Sequence, residues 1–217
     1  MKQGKVMQTK SNLLLEISNY YSDKISQFGC TPNGVDWNGK ESQFTRFNQL
    51  LKICEQDDLF SLGDFGCGYG ALLEYLSSKS KVTKYFGYDV SELMIENALK
   101  IKVPEISAVF STNKAGLKGL DYVVASGVFN VRLKAKEMEW IEYIKETLCL
   151  INESASKGFS FNALTSYSDK EKMKDYLYYS DPLFWFDYCK RNFSRQVALL
   201  HDYKLYEFTI LVRKLKD

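Results

Sequence analysis

Asp64-Phe65-Gly66-Cys67-Gly68-Tyr69-Gly70 is the segment whose residue types bear most directly on chemistry. A short, largely apolar run, Leu59–Phe65, leads into it, and helical spacing resumes over Ala71–Ser78, so the glycines fall where a strand ends and a helix begins. Glycine there allows a tight turn and lets a ligand lie against bare backbone, while the helix N-terminus offers unpaired N–H groups. Asp89 follows nineteen residues after Gly70, at the end of the next strand, Lys84–Tyr88. An acid at that place can accept hydrogen bonds from both hydroxyls of a ribose. Together these residues describe a site for a nucleoside-bearing ligand at the carboxyl edge of a parallel sheet. Gly66, Gly68 and Ala71 also satisfy the G-x-G-x-x-A form of the dinucleotide fingerprint. Two features argue against that reading. Asp64, two residues before the first glycine, is placed to meet a cationic ammonium rather than a pyrophosphate, and the strand begins near residue 59, behind an N-terminal helical region.

The elements that must position these residues follow from periodicity. Residues 11–28 form an amphipathic helix with Leu14, Ile17, Tyr21 and Ile25 on one face. Gly29–Lys40 is a loop, and Glu41–Asp57 a second helix striped by Phe44, Phe47, Leu50, Leu51 and Cys54. Ser91 is an N-cap for a helix over Glu92–Lys100. Ile106–Phe110, Leu120–Ala125 and Gly158–Asn162 are further strands, with a helix over Lys136–Leu150 between the last two. Thr165–Phe193 reads as helical and aromatic, and Ser194–Leu200 and Leu205–Val212 as two strands joined by a tight turn at His201–Lys204. Strands alternating with helices give an α/β fold whose mostly parallel sheet has helices on both faces, closed by an antiparallel hairpin strand. Residues 1–40 form a helix and loop covering the site, and residues 41–217 the main domain, with a helical lid insertion around 165–193.

The run DxGxGxG from Asp64 to Gly70, followed by the strand-end acid Asp89, resembles motif I and its successor in class I S-adenosylmethionine-dependent methyltransferases. The resemblance covers roughly residues 40–213 and implies a Rossmann-like, doubly wound, seven-stranded sheet with S-adenosylmethionine as cofactor. It implies that Asp64 and the Gly66-Cys67-Gly68-Tyr69-Gly70 backbone hold the methionine part, that Asp89 holds the ribose, and that Val90 lies against adenine. Many members place an acid after the third strand to meet the adenine amine; here Asn113 stands in that region and can accept through its amide oxygen. More narrowly, Trp37, Gln43, Arg46-Phe47, the strings SGVFN and FNALT, and the terminal HDYKLYEFTILVR resemble a group of small bacterial methyltransferases of undefined substrate.

Composition sets the outer bounds. The 217 residues are 45% hydrophobic and 26% charged, which is ordinary for a globular chain and excludes a disordered one. Lys+Arg 29 against Asp+Glu 27 leaves +2, far from the basic excess of a nucleic-acid binder. Neither does an NPPY-type tetrad stand after the fourth strand, where SGVFN is found. Five scattered cysteines without a CxxC, and a single histidine, supply no metal cluster and suit reduced thiols in a cytoplasmic protein. No secretory signal opens the chain, and no stretch approaches the ~20 apolar residues of a membrane span.

Ligands in open α/β sheets bind beyond the carboxyl ends of the strands. That rule nominates Ser126–Asn130 after the fourth strand, Ser126 toward the cofactor and Asn130 as a catalytic contact, with Asn162 at the substrate after the fifth. It also nominates His201 if the penultimate strand runs parallel, as a base beside Asp202. Arg46 suits a cofactor carboxylate through its planar fork. Trp37 and Tyr178 lie in the aromatic segments Thr31–Lys40 and Tyr176–Phe186 that flank the crevice, and are expected at the substrate. The expected activity is in-line methyl transfer to a small molecule, with neither nucleic acid nor membrane as partner. The alternative is a scaffold or sensor that binds cofactor without catalysis. An open polar pocket around Asn130, Asn162 and Tyr178 would favour the enzyme.

Overall fold

The structure, a computed structural model, describes residues 2–79 and 81–214, with side chains in the first helix described from residue 12 onward. Two helices, α1 (Lys2–Phe28) and α2 (Lys40–Leu51), precede the first strand, β1 (Phe60–Phe65). Then come α3 (Ala71–Leu76), β2 (Val82–Tyr88), α4 (Glu92–Ala98), β3 (Ser107–Ser111), β4 (Leu120–Ala125), α5 (Glu137–Ser154) and β5 (Ala155–Leu164). The chain closes with α6 (Pro182–Asn192), β6 (Gln196–Leu200) and β7 (Glu207–Arg213). The seven strands form one sheet in the order β3-β2-β1-β4-β5-β7-β6. The first five strands run parallel, and β7 lies antiparallel to both β5 and β6. This is the Rossmann-like sheet of the methyltransferase plan, with its order reversing between β1 and β4, where a crevice opens above the strand ends.

Helices cover both faces, which is why β1, β4 and β7 are almost continuously buried rather than alternating between buried and exposed. One core gathers Leu50, Leu62, Leu72, Tyr85, Met94 and Val124; the other gathers Val123, Trp140, Ile144, Phe159, Phe161, Trp185 and Phe208. Ile25 and Ile17 of α1 are buried in these same two cores, so the N-terminal helix is packed into the fold.

Three segments differ most from the reading of the sequence. The second helix ends at Leu51 rather than Asp57, giving way to a 3-10 turn over Lys52–Cys54. Helix α1 begins at Lys2 rather than near residue 11, where the apolar stripe first becomes periodic. Of Thr165–Phe193, only Pro182–Asn192 is α-helical, with the Asp181 side chain accepting from Leu183 N at 2.8 Å as N-cap. Upstream, side chains compete with helical hydrogen bonding: Ser168 Oγ donates to the Thr165 carbonyl at 2.7 Å, and Thr165 Oγ1 accepts from Tyr167 N at 3.3 Å. The segment instead turns through a 3-10 helix at Lys170–Lys172 and is tied down by the isolated bridges Val131–Leu177 and Thr165–Ser180.

Candidate active site

β1 delivers Asp64 to the sheet edge, and three glycines with positive φ, Gly66 (80°), Gly68 (54°) and Gly70 (88°), turn the chain into α3. The turn is clamped to the end of β2, because the Tyr88 carbonyl accepts from Gly66 N at 2.7 Å and from Cys67 N at 2.9 Å. Asp89 completes the clamp. Its Oδ2 accepts from Gly68 N and its Oδ1 from Ser91 N, each at 2.9 Å. Above the turn lies a cleft. Asp64, Gly66, Cys67, Gly68, Asp89, Val90 and Ser126 line it from the sheet side. Ile17 and Tyr21 of α1, with Val35 and Trp37 of the following loop, close it from the other. The cover is tied on by Ser18 Oγ donating to the Val90 carbonyl at 3.3 Å and by the Ser22–Ser91 hydroxyl pair at 2.9 Å.

Two carboxylates and no lysine or arginine line this cleft among the described residues. Burial raises the Asp64 carboxyl to about 7; the 2.5 Å hydrogen bond from the Tyr85 hydroxyl opposes that rise, and the Asp89 charge adds to it. Burial raises Asp89 as well, against the backbone N–H groups that stabilise its charge. Buried acids without a cationic partner in the cavity suit a ligand that brings its own positive charge. A pyrophosphate would bring its negative charge against both of these acids. The buried Ser126 Oγ has no hydrogen-bond partner, a further polar group facing this cavity.

A second cleft adjoins the first and shares Tyr21, Val35, Trp37 and Gly127 with it. Its wall is built on a buried polar chain. Gly127 N donates to Asn162 Oδ1 at 2.6 Å, Asn162 Nδ2 to Glu207 Oε2 at 2.9 Å, and Arg46 embraces Glu207 through Nε and Nη2 at 2.8–2.9 Å. The Arg46 guanidinium lies 3.8 Å from the centroid of the Trp37 ring. Its Nη1 is buried without a partner.

No family model matches the sequence. A Mycobacterium tuberculosis protein (strain ATCC 25618 / H37Rv) that carries a provisional methyltransferase name is 52% identical over 164 residues, 76% of this chain and 99% of its own length. The chain belongs to the class I S-adenosylmethionine-dependent methyltransferases. Solved structures share the fold. Magnesium protoporphyrin IX methyltransferase from Synechocystis PCC 6803 with bound S-adenosylhomocysteine matches with a TM-score of 0.64 at 13% identity, over 93% of this chain and 99% of its own. DhpI in complex with S-adenosylhomocysteine gives 0.62 at 11% identity, over 92% and 95%. The small RNA methyltransferase HEN1 gives 0.58 at 15% identity, over 79% of this chain and 26% of its own.

For this methyltransferase, the structure brings together Asp64, Gly66, Cys67, Gly68, Asp89, Val90, Ser126 and Trp37 around one cleft, with Gly70 capping α3 behind it. Other nominated residues sit elsewhere. Arg46 faces the second cleft, its fork taken by Glu207 rather than left for a cofactor carboxylate. Asn113 is exposed outside the first cleft, its Oδ1 capping Ala115 N at 3.0 Å. Asn130 lines the second cleft, but its Oδ1 accepts from Leu164 N at 3.0 Å and so splices the β4 turn to the end of β5. Asn162 is wholly buried in the polar chain. Tyr178 is packed in the core, and its neighbour Tyr179 lines the second cleft instead. β6 does run parallel to β5, yet His201 is exposed outside both clefts, against the rings of Tyr167 (5.9 Å) and Phe208 (6.3 Å). Glu207, the centre of the polar chain, was not foreseen; a lone carboxylate opening an otherwise apolar strand was its one signal.

Proposed function

We propose that the protein transfers the methyl group of S-adenosylmethionine, by in-line displacement, to a small-molecule acceptor held in the second cleft. The observation that carries this reading is the pairing of an acid-only cofactor cleft with a separate open cleft across Trp37. In this reading Asp64 takes the cofactor ammonium, Asp89 the ribose hydroxyls and Val90 the adenine, while the glycine turn lets the ligand approach bare backbone. When bound, the cofactor supplies a methyl carbon made electrophilic by its sulfonium. The chain's contribution is then placement, an effect worth up to ~7–11 kcal/mol. Proton removal is a poor fit to the residues at the junction: burial raises the Tyr21 hydroxyl far above neutrality, Asp36 is held by Lys24 and Tyr20 at 2.8 Å each, and Glu207 is held by Arg46. That favours an acceptor atom whose lone pair is free at neutral pH. Cover by α1 and its loop keeps water from the cofactor cleft.

The pocket expected around Asn130, Asn162 and Tyr178 is not formed as such, since Asn162 and Tyr178 are buried and only Asn130 lines the second cleft; that cleft nonetheless supplies a cavity for which a cofactor-binding scaffold would have no use. A charge of +2 favours a small acceptor over nucleic acid. No helix among the described residues is long and apolar enough to cross a membrane. The five unpaired thiols suit a cytoplasmic location. Calorimetry with S-adenosylhomocysteine tests the reading: binding in the micromolar range or tighter, about −8 kcal/mol, is expected. A preference for NAD would overturn it.

A further inference from the structure

The two clefts carry opposite charge. Asp64 and Asp89 are the charged residues of the first, whereas Arg46, Lys172, Lys174 and Lys204 line the second against Asp36 and Glu207. Both of those acids are already engaged, Asp36 by Lys24 and Glu207 by Arg46. Lys172 is shared with Asp169 at 3.1 Å and with the Tyr206 hydroxyl at 2.8 Å. Lys174 reaches the Tyr176 hydroxyl at 3.3 Å, and neither it nor Lys204 has an ion-pair partner among the described residues. Lys204 stands on the β6–β7 turn with φ 59°, and Lys174 on the irregular segment before α6, so two separate elements present ammonium groups without an ion-pair partner to one cavity. Deeper in the wall, Arg46 is 6% exposed and keeps its Nη1 donor without an acceptor. Trp37, Val131, Leu164 and Leu177 give the same cleft an apolar part, beside the polar Asn38, Ser42, Asn130 and Ser168.

We propose, building on the methyltransferase reading, that the acceptor is an organic anion whose carboxylate or phosphate is held at the lysine rim while its apolar body runs toward Trp37. The rim selects the anion, and the distance from rim to junction sets which atom of the acceptor meets the methyl group. Rim charges of this kind act through attraction that salt weakens.

The test uses the full chain saturated with S-adenosylhomocysteine, titrated with phenyl phosphate, with benzoate and with phenol as the neutral control, followed by tryptophan fluorescence. Both anions should bind about tenfold more tightly than phenol, and a rise from about 50 to about 500 mM salt should weaken them while leaving phenol unchanged. The Lys174→Ala/Lys204→Ala protein should lose about tenfold in anion affinity and keep its affinity for S-adenosylhomocysteine. Phenol binding as tightly as the anions, or a double variant that binds them like the parent, overturns the inference. Saturation with S-adenosylhomocysteine is read first, so its failure dismisses the methyltransferase reading, whereas saturation followed by indifference to the anions dismisses only this inference.

Discussion

Removing Glu207 should expose how much of the site's architecture hangs on one buried carboxylate. It is 1% exposed, accepts from Arg46 at three contacts of 2.8–2.9 Å, and accepts from Asn162 at 2.9 Å. In Glu207→Ala, the Arg46 guanidinium would remain buried with no counter-charge, a loss of about 3–5 kcal/mol. For a chain of this length that corresponds to a fall in Tm of roughly 6–20 °C. Arg46→Met leaves the reverse problem, a buried carboxylate with Asn162 alone. Removing both charges, in Arg46→Met/Glu207→Ala, leaves only the Asn162 amide short of a partner, about 1–3 kcal/mol. The double variant should therefore be less damaged than the sum of the singles by at least ~2 kcal/mol. Urea midpoints with unchanged m-values give all three numbers. Losses that add within about 0.5 kcal/mol, or a Glu207→Ala cost below about 1 kcal/mol, would refute the reasoning.

Cofactor binding should depend on pH through Asp64. Its carboxyl, raised to about 7, is neutral below that value and can pair with an ammonium only when ionised, so affinity should climb as pH rises through 7 and the slope should vanish in Asp64→Asn; calorimetry across pH checks it, and an unchanged slope in the variant would remove Asp64 from the ammonium. The same raised value means that ionising Asp64 costs stability in the protein free of ligand as pH rises from about 4 to about 7, which urea unfolding without cofactor would show. Gly68→Val should abolish S-adenosylhomocysteine binding while circular dichroism shows a folded protein, because φ 54° and a Cβ only 3.1 Å from Val35 Cγ1 leave a side chain nowhere but the cleft; tight binding by the folded variant would refute the placement of the turn. Hydrogen exchange with S-adenosylhomocysteine should slow in Thr31–Lys40 more than in Tyr176–Phe186, since Arg132 N, Leu133 N and Ser180 N already pin the latter by backbone hydrogen bonds; the opposite pattern would make the second segment the moving cover.

The cofactor cleft was legible in the sequence because its determinants are local. Glycines that must adopt positive φ between a strand and a helix, and an acid closing the next strand, are contiguous signals, and Ser91 caps α4 through Met94 N at 3.2 Å as its position implied. The acceptor side was not, because its determinants are distant in the chain. Arg46 and Glu207 are 161 residues apart, and no periodicity links them. In the irregular stretch before α6 there is no repeat to fix which of two neighbouring tyrosines faces inward, so Tyr178, expected at the substrate, lies in the core while Tyr179 lines the second cleft. His201 stood out by being the only histidine, which is a fact of composition and carries no geometry.

Trp37 is the partition between two rooms. Arg46 lies on its ring at 3.8 Å, and Gly127, at φ 72°, lets the indole approach so closely that a Cβ there would stand 2.4 Å from Cζ2. A ligand on either side therefore leans on the same aromatic plate. Whatever free energy the first occupant spends or gains in setting that plate is felt by the second, and reciprocity requires the influence to be equal in both directions. On the proposed reading, donor and acceptor affinities would be coupled through Trp37, each depending on the occupancy of the other cleft.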